Sequence, residues 1–191
     1  MCALKIIGGE ARGRAIWTLP EGDLSVRPIL GRIKKSLFDI IQPKVGGCRF
    51  LDLFAGTGAV GLEALSRGAK KVIFVELDQK PITLIKKNLE MFNWADRAEI
   101  LNFDIAKGLD LIRVKSDIIF LGPPYKDFSK EPLALVGITL ENIVKAGLMA
   151  DDAWIIAQHH QKEPIDLPNG LREFRTEEYG DSVLSFYKRS S

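Results

Sequence analysis

Residues 51–61 read Leu51-Asp52-Leu53-Phe54-Ala55-Gly56-Thr57-Gly58-Ala59-Val60-Gly61. A short apolar strand ends in an acid, a glycine loop turns sharply, and a helix begins. Gly56 and Gly58 tolerate positive φ and let a ligand approach the backbone. N–H groups at the helix start attract partial negative charge. Glu76 follows at the end of the next strand, placed to accept hydrogen bonds from ribose hydroxyls. Gly56-x-Gly58-x-x-Gly61 also matches a dinucleotide fingerprint, so a nicotinamide dehydrogenase has to be weighed. Asp52 opposes it, because its carboxylate would face a doubly charged pyrophosphate at close range. The same carboxylate suits a cationic ligand. S-adenosylmethionine, with a sulfonium, an ammonium, an adenosine and no phosphate, matches that charge layout. Asp52 is expected at its methionine end and Glu76 on its ribose. Asp104, at the end of the third strand, suits a hydrogen-bond acceptor for the adenine amine and a helix N-cap, and one side chain could do both.

Outward from this loop, strands and helices alternate. Strands are expected at Arg49–Phe54, Lys71–Glu76, Glu99–Phe103, Asp117–Leu121 and Ala153–Gln158, with helices at Val60–Arg67, Gln79–Asn93 and Pro132–Ala146 and a short one after Asp104. Apolar strands separated by helices predict an α/β fold, a parallel sheet covered on both faces. Glu173–Tyr179 and Val183–Lys188 read as a closing hairpin around Gly180. On the other side, Leu4–Ile7 and Ala15–Leu19 flank a Gly/Arg turn, a hairpin signal. A helix is expected from Pro28, with Ile29, Ile33, Leu37, Ile40 and Ile41 on one face, ended by Pro43 and Gly46-Gly47. Those glycines divide residues 1–47 from 48–191.

A second signal is Ile118-Ile119-Phe120-Leu121-Gly122-Pro123-Pro124-Tyr125. Pro-Pro makes a rigid turn without backbone donors. It lies at a strand's C-terminal end, where open α/β sheets bind ligands.

The chain has 191 residues, 46% hydrophobic and 27% charged, which excludes wholesale disorder. Its apolar runs are too short to span a bilayer, and its N-terminus shows no signal-peptide pattern. Two cysteines, Cys2 and Cys48, argue against a disulfide framework and for a cytoplasmic protein. The net charge of +2 is uneven: residues 1–47 carry eight bases and four acids, against 19 and 21 in the rest. The basic segment predicts an anionic partner. No metal site is expected; His159 and His160 lack ligand-type neighbours at motif spacing. Nothing in the sequence demands more than a monomer.

The glycine loop, Glu76 and Pro-Pro-Tyr resemble class I S-adenosylmethionine-dependent methyltransferases that act on an exocyclic amine. Further stretches are more specific: Lys5-Ile6-Ile7-Gly8-Gly9, Arg12-Gly13-Arg14, Arg27-Pro28 with Arg32, Gly61–Ala69, and Tyr179–Tyr187. These resemble the RsmD-type rRNA guanine-N2 methyltransferases, in that family's order along nearly the whole chain. The resemblance implies a Rossmann-like sheet of seven strands with the last antiparallel, extended by a small N-terminal hairpin and helix. It implies methyl transfer to a guanine N2 in small-subunit (16S) rRNA, in the ribosomal subunit or its RNA. The cofactor-binding set would be Asp52, Phe54, Ala55, Gly56, Gly58, Glu76, Leu77, Asp104 and Ile105. The catalytic turn would be Gly122, Pro123, Pro124 and Tyr125, with Tyr125 a stacking face for a flipped base. Lys5, Arg12, Arg14, Arg27 and Arg32 would hold RNA phosphates. The same turn permits transfer to adenine N6 in DNA, but no separate target-recognition segment is evident.

Two positions depart from the family pattern. Asp or Asn usually precedes Pro-Pro-Tyr, where its side chain accepts a hydrogen bond from the target amine; here the residue is Gly122. Removing one preorganised partner predicts a loss on the order of a hundred- to thousand-fold in rate. It opens a second reading, a cofactor- and RNA-binding protein that transfers slowly. Ile29-Leu30-Gly31 replaces residues that are usually polar, so no RNA contact is expected there.

Overall fold

The structure is a computed structural model that describes residues 4–20, 29–125 and 133–190. Seven strands form one sheet: β1 Arg49–Leu53, β2 Lys71–Val75, β3 Ala98–Leu101, β4 Ser116–Leu121, β5 Met149–His160, β6 Leu171–Tyr179 and β7 Ser182–Arg189. Their order is β3-β2-β1-β4-β5-β7-β6. The first five run parallel, and β7 enters antiparallel between β5 and β6. The chain reverses its winding direction between β1 and β4, the switch point where doubly wound sheets bind ligands. Edge strand β6 is blunted by Arg172, Glu173, Arg175, Glu177 and Glu178.

Side chains alternate across the strands, so each residue's parity assigns it a face. Phe50, Val72, Phe74, Ile118, Phe120 and Ile156 join one core cluster with the helices α1 Gly31–Val45, α2 Ala59–Ser66 and α3 Gln79–Phe92. Leu51, Leu53, Ile73, Val75, Ile119, Leu121, Ile155 and Ala157 join the other, under α4 Val136–Lys145. Continuing the first register to the strands' C-terminal ends reaches Asp52, Glu76, Gly122 and Gln158. One parity rule thus gathers four chemically distinct positions along one edge of one face.

The expected elements are all present where described, with shifted bounds. The N-terminal hairpin reduces to a single bridge, Lys5 with Ala15, closed by Ile6 N–H to Arg14 O (3.0 Å) and Gly13 N–H to Ile6 O (2.8 Å). It stays short because its neighbours bind it instead: Glu63 accepts from Ile7 N–H at 2.9 Å and Gly8 N–H at 2.7 Å, and Ser66 Oγ from Ala11 N–H at 3.0 Å. Gly8 and Gly9 permit this approach. A Cβ on Gly9 would lie 1.8 Å from Ser66 O, and Gly9 has a φ of +76°. Helix α1 begins at Gly31 rather than near Pro28, since Leu30 is still extended at ψ 137°; Arg27 and Pro28 lie outside the described residues. The helix also passes through Pro43 to Val45. A missing N–H near a helix end costs a single bond, and Val45 is buried in the core. Helix α4 starts at Val136, not Pro132, and β5 extends beyond the expected 153–158 in both directions because it pairs with β4 and β7. Ile6, Ile16, Ile33, Leu37 and Phe38 share the core of the sheet, so the basic segment packs as part of the body.

Candidate active site

The β1–α2 loop holds three residues in the left-handed region: Phe54 (φ 60°), Gly56 (φ 53°) and Gly58 (φ 79°). For Phe54 that conformation costs ~1–2 kcal/mol. Two carboxylates hold the loop. Asp52 Oδ2 accepts from Gly61 N–H at 2.8 Å, and Glu76 Oε2 accepts from Gly56 N–H at 2.7 Å. Glu76 Oε1 also accepts from Leu77 and Asp78 N–H at 2.8 and 2.9 Å. The third glycine of the fingerprint serves packing: a Cβ on Gly61 would meet the Phe74 ring at 2.2 Å.

Asp52 is buried, at 1% exposure. Desolvation pushes its carboxyl up to about 8; the Gly61 hydrogen bond opposes this, and the nearby Glu76 charge adds to it. Near neutral pH this burial favours the protonated carboxyl. Asp52, Glu76 and the turn share one cavity of about 240 Å³. Its walls include Phe54, Ala55, Gly56, Leu77, Pro123, Pro124 and Tyr125, together with Ile29, Thr57, Phe120 and Gln158. Those last four escaped the sequence reading. Strand parity was the available signal for Phe120 and Gln158.

Several expected site residues stand apart from the cavity walls. Asp104 caps a 3₁₀ turn through Ala106 N–H at 3.0 Å. Ile105 is buried in the opposite core cluster. Gly58 caps α2 and forms part of the loop without lining the cavity. Asn102 instead ties the β3 end to the site, donating to Glu76 O and Leu77 O at 2.9 and 2.8 Å.

At the Pro-Pro turn, the space beside Gly122 is bordered by Phe120 and Gln158. A Cβ there would meet Phe120 Cε1 at 3.1 Å and Gln158 Oε1 at 4.0 Å. Tyr125 OH donates to Ser182 Oγ at 3.1 Å and accepts from Gln158 Nε2 at 3.2 Å. The Tyr125 ring meets His160 edge-on at 5.9 Å. His159 is buried between Ser185 Oγ and His160 O, a packing role.

Of the expected RNA-contacting cations, Lys5, Arg12, Arg14 and Arg32 are exposed, and Arg27 lies outside the described residues. Arg14 also packs 4.4 Å over the Phe92 ring and bonds Met91 O. Other bases of the segment are internally committed: Lys34 is buried, Lys35 pairs with Asp39 and Lys44 with Asp152. Among the described residues, no helix is long and apolar enough to cross a membrane.

Comparison with known proteins agrees with this geometry. The Bacillus subtilis protein YlbH is 33% identical over 192 residues, covering 97% of this chain and 99% of its own. Ribosomal RNA small subunit methyltransferase D of Escherichia coli K12 is 29% identical, covering 98% of this chain and 91% of its own. The solved structure of Escherichia coli yhhF superposes with a TM-score of 0.82 at 27% identity, covering 98% of both chains. The model of the family described as conserved hypothetical protein 95 matches residues 4–188. With its core, loop and turn inside that match, the chain belongs to this family, that of the RsmD-type methyltransferases.

Proposed function

We propose that this protein transfers a methyl group from S-adenosylmethionine to the exocyclic N2 amine of a guanine in small-subunit ribosomal RNA. The observation that carries the reading is the convergence of Asp52, Glu76 and the Gly122–Tyr125 turn on one cavity at the sheet's switch point. The family adds the substrate class. When bound, the cofactor supplies an electrophilic methyl group on a sulfonium. Asp52 provides the carboxylate for its ammonium. Glu76 anchors the loop and keeps acceptor capacity for the ribose, since a carboxylate has about four lone-pair sites and three are used. Asp104 and Ile105 are not among the residues that line the cavity, so the adenine contact proposed for them lies outside it. Tyr125, pinned by Ser182 and Gln158, offers a ring to the flipped base. Lys5, Arg12, Arg14 and Arg32 form the phosphate-holding surface of the 1–47 segment, and Arg27 belongs with them by sequence. No role in this scheme calls for a metal.

The test is transfer of labelled methyl from S-adenosylmethionine to unmodified small ribosomal subunits. Guanine N2 methylation is the expected product, and failure to bind the cofactor would overturn the reading. Gly122 favours a second reading, a protein that binds cofactor and RNA but transfers slowly. Salt-dependent RNA binding without turnover would select it.

Cofactor binding should also be linked to pH through Asp52. The ligand-free site holds a proton up to about pH 8, and the cationic ligand favours the ionised carboxylate. Affinity should therefore rise with pH, by up to about tenfold per unit below 8, and flatten above it. Calorimetry near pH 7 in buffers of different ionisation enthalpy should detect proton release. Affinity independent of pH between 6 and 8 would remove Asp52 as the ammonium partner.

A further inference from the structure

We infer that Gln158 supplies the amine acceptor that position 122 lacks. This rests on the reading of the chain as an amine methyltransferase and assigns a residue to the same reacting group. Strand parity places Gln158 two residues beyond Ile156, on the face that holds Phe120 and Gly122. The β4–β5 register, Leu121 beside Ala157, sets Gln158 next to Gly122 across the strands. Its Oε1 lies 4.0 Å from where a Cβ on Gly122 would stand, in ordinary contact with the site of the missing side chain. The amide is oriented by its other end: Nε2 donates to Tyr125 OH at 3.2 Å, and that hydroxyl donates onward to Ser182. Oε1 accepts no hydrogen bond from the described residues, and Gln158 lines the cavity. The Phe120 ring also stands close, its Cε1 3.1 Å from that Cβ position, a contact that a ring shift of a few tenths of an ångström relieves.

The chemistry matches the need. Guanine N2 is conjugated with its ring, and an acceptor on one N–H helps turn its lone pair toward the methyl carbon. The lone pair forms the N–C bond, the C–S bond breaks with its electrons going to sulfur, and the amine proton leaves to water. Gln158 Oε1 holds the amine through that step without taking the proton. A neutral amide stabilises the developing positive charge less than a carboxylate does, and it does not titrate.

The test compares turnover of unmodified small ribosomal subunits at saturating S-adenosylmethionine, with cofactor affinity measured separately by calorimetry. Gln158→Met should lower kcat by about 10²–10³-fold while cofactor affinity stays within about threefold. Adding Gly122→Asp to Gln158→Met should recover at least about tenfold of that loss, which also shows that the variant folds. Gln158→Glu keeps an acceptor, so it should retain more than about a tenth of wild-type turnover. Its kcat should also gain an acid limb where the new carboxyl protonates, a limb the wild type lacks. The inference is overturned if Gln158→Met stays within about threefold of an active wild type. It is equally overturned if Gln158→Glu and Gln158→Met fall alike, which would make Gln158 a support for Tyr125. A wild type that binds cofactor but transfers no methyl is a different result, and it removes the activity reading together with this one.

Discussion

Glu63→Ala should destabilise the protein by about 3–5 kcal/mol, a large share of a typical domain's stability. Glu63 is fully buried on α2 and is the hub of an internal charge cluster. Its carboxylate lies 3.1 Å from Lys34 Nζ and 2.8 Å from Arg67 Nε, and it accepts the Ile7 and Gly8 N–H groups. Lys34 is itself 1% exposed, and it donates to Lys5 O at 2.8 Å. Burial pulls the Lys34 ammonium below its usual range, against the attraction of Glu63. Removing the carboxylate would strand a buried ammonium and two backbone donors together. Urea unfolding measures the loss. Hydrogen exchange at Ile7 and Gly8 shows whether the N-terminal segment lets go first. A loss below about 1 kcal/mol would mean that apolar packing and the Ser66 hydrogen bonds hold that segment without Glu63. The functional consequence is position: this cluster sets where Lys5, Arg12 and Arg14 stand relative to the cavity.

Asp52→Asn should separate folding from ligand binding. An asparagine resembles the protonated carboxyl that burial already favours. In the wild type, the native carboxyl titrates near 8 against 3.8 for the free group, so the folded state keeps a proton that the unfolded chain has lost. Stability of the ligand-free protein should therefore fall as pH rises from about 4 to about 8. Asp52→Asn should flatten that slope. It should also weaken S-adenosylmethionine binding at pH 8 by about 30-fold to several thousand-fold, the cost of removing one partner of a buried charge pair. The gap should narrow toward pH 6, where the wild type must give up a proton to bind. Equal affinities at pH 8 would show that the ammonium is held elsewhere. Urea melts across pH and calorimetry on the two proteins decide both points.

Much of the architecture is legible in the linear pattern because its signals are local. A five-residue apolar strand, a glycine loop and an acid at the next strand's end specify a strand–loop–helix unit within some 25 residues. The same local chemistry marks Pro-Pro-Tyr as a rigid turn. Residues 4–16 also read correctly as a reversal, since Gly8, Gly9 and Gly13 punctuate it. They did not read as a segment bound by Glu63 and Ser66, more than fifty residues away. Asp104 shows the same limit from the other side: one short polar residue after a strand suits a ligand or a cap, and the sequence leaves both open.

By itself, then, the sequence determined the alternation of strands and helices, the carboxylates flanking the glycine loop and the missing side chain at position 122. These follow from side-chain period and turn chemistry over a few residues. Only the tertiary structure decided what surrounds them. The depth of Asp52 depends on helices that cover one face, and that burial moves its proton. The charge cluster at Glu63 requires α1, α2 and the N-terminal segment to meet. The neighbour of Gly122 is set by the β4–β5 register, which brings residue 158 alongside residue 122. Hydrogen bonding between strands far apart in the chain fixes that register, so no local pattern records it.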